Sequence, residues 1–128
     1  MALMRICAYI DDRDMDEITT LQAEVLKTLA SPRRLEIIHR LAEGPCEVGR
    51  LADDIGASQP NVSQHLAVLR AAGIVEAERD GREVRYRLAD ADVMVACNVM
   101  RGVLQRRLTR LGLLSLHDQA AAELVEIQ

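Results

Sequence analysis

One change of rhythm along this sequence limits its fold more than anything else. Up to Gly73 the apolar residues recur every three or four positions. After it come Ile74-Val75-Glu76-Ala77-Glu78-Arg79 and then Arg82-Glu83-Val84-Arg85-Tyr86-Arg87-Leu88, where Val84, Tyr86 and Leu88 alternate with polar residues. Asp80-Gly81 separates the two runs, and an Asp-Gly pair in that place signals a tight β-hairpin. From Asp90 the helical spacing returns through Val93, Cys97, Met100, Leu104, Leu108 and Leu111, with Arg101, Arg106, Arg107 and Arg110 off the stripe. The chain therefore reads as helices, one hairpin and a long final helix.

Punctuation residues divide the first stretch. Ile18, Leu21, Val25 and Leu29 predict a first helix over 14–29, its early acids suited to the positive end of the helix dipole. Ser31 followed by Pro32 starts a second, with Leu35, Ile38 and Leu41 as its stripe and Gly44-Pro45 as its stop. Val48, Leu51, Ala52 and Ile55 mark a short third helix ended by Gly56. Ser58 and Pro60 open a fourth, which buries Val62, Leu66 and Leu69 and ends at Gly73.

At 128 residues the chain suits one domain. That domain is placed over 14–112, after an N-terminal arm (1–13) and before a C-terminal tail (113–128) with room for a short helix. With no Phe, no Trp and two Tyr, the core must be aliphatic, which favours packed helices over an aromatic-rich sheet. A core so built covers little surface, so self-association is expected. No apolar run reaches 18 residues, the first ten residues lack the pattern of a secretory signal, and three widely spaced cysteines suit a reducing compartment. These features predict a cytoplasmic protein that makes no use of a membrane. The net charge of −4 argues against a nucleic-acid partner until its distribution is considered. Residues 31–110 carry 13 basic and 11 acidic groups, while the two ends together carry 3 and 9. The middle of the chain is selectively basic.

Two short helices around Gly56-Ala57-Ser58, followed at once by a charged hairpin, make a helix-turn-helix with a wing. A helix enters the major groove only if one face holds it to the scaffold while another offers groups to base edges. On the fourth helix Val62, Leu66 and Leu69 face inward, leaving Gln59, Asn61, Ser63, Gln64 and His65 on the flanks or outside. Ser58 caps the helix and leaves backbone N–H groups available to a phosphate. Arg79, Arg82 and Arg85, with Arg87, flank the hairpin turn within reach of DNA phosphates, although Glu78, Asp80 and Glu83 dilute their charge. No HExxH, GxSxG, P-loop or paired-carboxylate pattern is present, and no enzymatic activity is expected.

The runs Thr28-Leu-Ala-Ser-Pro-Arg-Arg-Leu-Glu-Ile-Ile38, Val48-Gly-Arg-Leu-Ala52, Ser58-Gln-Pro-Asn-Val-Ser-Gln-His-Leu-Ala-Val-Leu-Arg-Ala-Ala-Gly-Ile-Val75 and Asp80-Gly-Arg-Glu-Val-Arg-Tyr-Arg-Leu88 resemble the ArsR/SmtB family of bacterial winged helix-turn-helix transcriptional repressors. The likeness spans roughly residues 20–110 and several motifs in order. It implies a mainly α fold with a small β-hairpin, ordered α-α-α-α-β-β-α. It further implies a homodimer joined through the first and fifth helices, bound to a pseudo-palindromic operator in double-stranded DNA and released by an inducer. A two-fold pair would set its recognition helices roughly 34 Å apart, one turn of duplex.

The family's zinc pattern on the fifth helix, Asp-x-His and later His-x-x-Glu, is not met by Asp92-Val93-Met94 and Gln105 to Leu108. Thiols remain. Cys46 lies close to where relatives carry sensing cysteines, Cys7 sits in the arm, and Cys97 falls on the fifth helix. As(III) or Sb(III) prefers three thiolates, and a thiolate is also the species that is oxidised or persulfidated. A metalloid inducer bound by Cys7, Cys46 and Cys97 is the leading expectation. A redox- or sulfur-sensing repressor is one alternative and a winged-helix protein-interaction module another. Competing with any sensor role, Cys97 reads as a small buried hydrophobe, Cys7 as a loose thiol and Cys46 as a loop residue packed beneath the second helix.

Overall fold

The computed structural model describes residues 12–112. Cys7, His117 and the expected tail helix lie outside them. The elements run α1 (Asp12–Leu29), α2 (Pro32–Leu41), β1 (Cys46–Glu47), α3 (Val48–Ile55), α4 (Gln59–Ala71), β2 (Val75–Asp80), β3 (Glu83–Leu88) and α5 (Asp92–Arg110). All five helices and the hairpin fall where the residue spacing puts them. Two compact units divide between Ala89 and Asp90.

In the first unit, two serine caps start the helices that matter. The Ser31 hydroxyl accepts from the Arg34 N–H at 3.4 Å and the Ser58 hydroxyl from the Asn61 N–H at 3.3 Å, each with a proline in the following turn. Gly56, at φ 68°, ends α3 in the left-handed conformation that allows the chain to reverse within two residues. At the end of α4, Gly73 (φ 76°) donates to the Arg70 carbonyl and Ile74 to the Leu69 carbonyl, both at 3.0 Å. That pairing is a Schellman closure, and it fixes the direction in which the chain leaves α4 for the wing.

The core of this unit is aliphatic: Ile37, Ile38 and Leu41 of α2, Leu51 and Ala52 of α3, Val62, Leu66 and Leu69 of α4, and Ile74 and Val75 beyond it. Each large side chain so buried contributes about 1.5–3 kcal/mol. Ile37 is completely buried, whereas Leu35, expected on the α2 stripe, is exposed.

The sheet has three strands, in the order β1-β3-β2, rather than the two of a lone hairpin. Cys46 pairs with Tyr86 and Glu47 with Arg85, so Cys46 is a buried strand residue and not a loop residue. The hairpin register pairs Asp80 with Glu83, which makes Gly81-Arg82 the two-residue turn instead of Asp80-Gly81. Gly81 has φ 65° and no described residue other than glycine, Arg82 included, has positive φ, the pattern of a type II′ turn.

Two adjacent arginines bind the helices of this unit together. Arg34 donates from Nη1 to the Thr28 carbonyl at the end of α1, at 3.0 Å, and from Nε to His65 Nδ1 on α4, at 3.2 Å. Arg33 donates to the Ile55 carbonyl at the end of α3 (3.3 Å) and pairs with Glu36 at 2.8 Å. Carbonyls in the last helical turn have no partner within the helix, so these contacts satisfy groups that would otherwise need water. Arg40 of α2 joins Asp54 of α3 at 2.7 Å.

Along α1, Ile18, Leu21 and Leu26 are exposed, Leu21 by 59%. In the second unit, α5 buries Met94 and exposes Val95, Val99, Met100, Val103, Leu104 and Leu108, with Leu111 exposed just after it; Val99 is 63% and Met100 57% exposed. None of the described helices is long and apolar enough to cross a membrane.

Candidate nucleic-acid interface

α4 is amphipathic in the sense the sequence predicts. At 100° per residue Val62, Leu66 and Leu69 lie within a narrow arc, and all three are buried. Gln64 and Ala71 fall opposite that arc. Ser58, Gln59, Asn61, Ser63 and Gln64 are all exposed. Gln59 leans back over α3, where a Cβ added to Gly49 would stand 3.8 Å from its amide oxygen. His65 departs from the expectation of a flank open to bases. It is half-buried, and its Nδ1 accepts the Arg34 hydrogen bond, which leaves the ring proton on Nε2.

Strand alternation sorts the wing's charged residues onto two faces. Val75, Ala77 and Arg79 of β2 stand opposite Leu88, Tyr86 and Val84 of β3 on one face. On the other, Glu76, Glu78 and Asp80 stand opposite Arg87, Arg85 and Glu83. The second face is internally paired: Arg87 meets Glu76 at 2.9 Å and Glu78 at 3.8 Å, and Arg85 meets Glu83 at 3.9 Å. Arg85, expected beside Arg79 and Arg82 as a DNA contact, thus stands on the opposite face of the hairpin from Arg79 and already faces a carboxylate. Arg79 and the turn residue Arg82 are exposed and have no acidic partner among the described residues.

Between α4 and the wing runs an open groove of about 450 Å³, lined by Ser63, Ala67, Arg70, Ala71 and Tyr86. Sequence reading missed Arg70, Tyr86 and the role of Arg34. Ser63, Ala67, Arg70 and Ala71 recur at helical spacing, so the α4 side of the groove was visible as a stripe. Tyr86 needed the hairpin's inward face to be known.

Cys46 is 3% exposed and its Sγ–H donates to the Glu47 carbonyl at 3.4 Å. Burial pushes its pKa up, against the opposing pull of the Arg40 and Arg50 charges. Burial likewise raises Cys97, which is half-buried on α5. Among the described residues no three His, Cys, Asp or Glu side chains gather as a metal site.

Residues 31–77 match the family described as bacterial regulatory protein, arsR family. The chain is 50% identical over 74 residues to the HTH-type transcriptional repressor SmtB of Mycobacterium tuberculosis, an alignment covering 58% of this chain and 55% of that one. It thus spans only about half the length of that relative. It is 41% identical over 92 residues to the biofilm growth-associated repressor of Xylella fastidiosa, covering 72% of this chain and 81% of the relative. Among solved structures, the homodimeric winged helix-turn-helix DNA-binding domain Mb0332 from Mycobacterium bovis, described as a possible ArsR-family transcriptional regulator, superposes with a TM-score of 0.69. Identity there is 33%, over 80% of this chain and 94% of that one.

Proposed function

The chain belongs to the arsR family of bacterial regulatory proteins, and from that premise we propose that it is a homodimeric transcriptional repressor acting on double-stranded DNA in the cytoplasm. The observation that carries this reading is α4 itself: a helix fixed by three buried side chains that exposes Gln64 opposite them and Asn61 and Ser63 on its flanks, with Arg79 and Arg82 of the wing free of acidic partners among the described residues. Asn and Gln can each make two hydrogen bonds to an adenine edge, and serine to several bases. In the first turn of α4 Pro60 has no N–H and the Asn61 and Val62 N–H groups go to the Ser58 hydroxyl and carbonyl, which leaves the Gln59 N–H for a phosphate. The exposed apolar residues of α1 and α5 supply the two-fold interface, since monomers rarely leave such surface in water.

We propose further that a thiol-bound inducer, with As(III) or Sb(III) as the leading class, releases the operator. Each As–S bond formed from arsenous acid expels one water, the thiol proton leaving with the hydroxide. Cys46 offers the link to DNA, because it is the β1 partner of Tyr86 on the wing strand. To reach a metalloid its thiol must leave the Glu47 carbonyl and a 3%-exposed site, which disturbs β1 and through it β3. Oxidation or persulfidation of the same thiol makes the same demand and is the second reading.

The test is a titration of the chain with its own promoter fragment, repeated with arsenite, zinc, peroxide and polysulfide. Nanomolar, salt-sensitive, sequence-selective binding supports the repressor. Equal binding to scrambled DNA overturns it in favour of a protein-interaction module. Release by arsenite that persists in a triple Cys→Ser chain ends the thiol proposal.

A further inference from the structure

We infer that the groove between α4 and β3 seats one sugar-phosphate strand of the duplex, with the Arg70 guanidinium and the Tyr86 hydroxyl as its phosphate contacts. This rests on the DNA-binding reading above and adds to it the place where the backbone runs.

Three observations converge on this groove. Arg70 is exposed and Tyr86 half-buried, both line the groove, and neither has a side-chain partner among the described residues. The wing face that turns toward the groove carries Arg79 and no acid, whereas the opposite face carries Glu76, Glu78, Asp80 and Glu83 against Arg85 and Arg87. A polyanion is therefore drawn to one side of the wing and repelled from the other. Ala67, between Ser63 and Arg70, and Ala71, just past Arg70, keep the α4 wall low, so a chain of phosphates can come close to the helix. A guanidinium and a phenol are together suited to a phosphodiester, the first for its charge and the second for a directed O–H donor.

The groove borders the Gln64 surface, which Ala71 shares, and lies on the flank of α4 away from Asn61. Arg70 and Tyr86 thus act as positioning residues that set how deeply α4 enters, while base edges are read elsewhere. The shared chemistry is a phosphate oxyanion, whether from duplex DNA or from free phosphate.

The test uses the full chain and its promoter fragment, with binding measured by anisotropy across a salt series. Arg70→Ala should weaken binding to cognate and scrambled duplex by about the same factor, on the order of tenfold, and lower the salt slope by about one. Tyr86→Phe should weaken both duplexes about two- to fivefold with the slope intact, because the lost donor is neutral. Arg87→Ala, on the ion-paired face, should leave the slope unchanged, and circular dichroism of each variant should match the wild type. Inorganic phosphate should compete no better than chloride at equal ionic strength. An unchanged slope in Arg70→Ala, an unchanged affinity in Tyr86→Phe, or strong competition by free phosphate would overturn the inference while leaving wild-type DNA binding in place. A wild-type chain that fails to bind any duplex would overturn the DNA reading first.

Discussion

Cys46 and Tyr86 face each other across the ladder between β1 and β3, so a buried thiol and a ring lining the groove beside α4 are neighbours in one sheet. Burial raises the Cys46 pKa, and a raised thiol pKa means the folded protein holds its proton more tightly than the unfolded chain does. That contribution to stability is complete below the unfolded value of about 8.5 and is lost as pH rises through the folded one. Native Cys46 should therefore be alkylated more slowly than the same thiol in urea. Chemical denaturation at pH 7 and pH 10 should show a loss of stability at the higher pH that Cys46→Ser reduces. Equal alkylation rates in the folded and unfolded chain would contradict the burial argument.

Gln64 and Arg82 should fail in different ways. Gln64→Ala removes an exposed amide opposite the buried arc of α4, so preference at one base position should relax by about 1–3 kcal/mol while stability stays within about 0.5 kcal/mol. Arg82→Ala takes an unpaired charge from the turn, so all sequences should bind more weakly and the salt slope should fall by about one. Competition titrations with single-base operator variants at several salt concentrations separate the two.

Arg34→Ala should destabilise the fold without any DNA present. It leaves the Thr28 carbonyl and His65 Nδ1 without their donor, and both bonds are only partly buried, so the cost is at the low end of the range, about 1 kcal/mol. For a domain near 100 residues that lowers Tm by about 4–8 °C. A melting curve with Arg34→Lys alongside checks it, since lysine lacks the fork that serves both acceptors at once.

Replacing Met100 and Leu104 by Asp should shift the chain toward monomer in light scattering and reduce operator affinity more than tenfold. Both side chains are more than half exposed on α5, so the substitution costs the protomer little. A dimer that persists in the double variant would place the two-fold contact elsewhere.

Much of this was legible in the sequence because it depended on neighbours along the chain. Ser31-Pro32, Ser58 and Pro60, Gly56 and Gly73 announce helix ends by local chemistry alone, and Val62, Leu66 and Leu69 show their face by spacing. What escaped depends on distant partners. β1 is two residues long, with no alternation to detect, and exists through Tyr86 and Arg85, some forty residues on. Arg33 and Arg34 look like solvent-facing charges until Ile55, Thr28 and His65 are brought to them. The arginines of the hairpin were grouped by nearness in sequence, although the alternation that reveals the strand also divides them between its faces. Placing Gly81-Arg82 at the turn depends on a register that the Asp-Gly signal misplaces by one residue.

So many guanidinium groups are already engaged in holding helices and strands together that a tally of cations overstates this molecule's pull on a polyanion. Among the first unit's described arginine side chains, those of Arg50, Arg70, Arg79 and Arg82 are not already engaged. On the proposed DNA-binding reading, this unit's grip on the double helix hangs on a few side chains, and a single acidic replacement among them should be felt across the whole range of physiological ionic strengths.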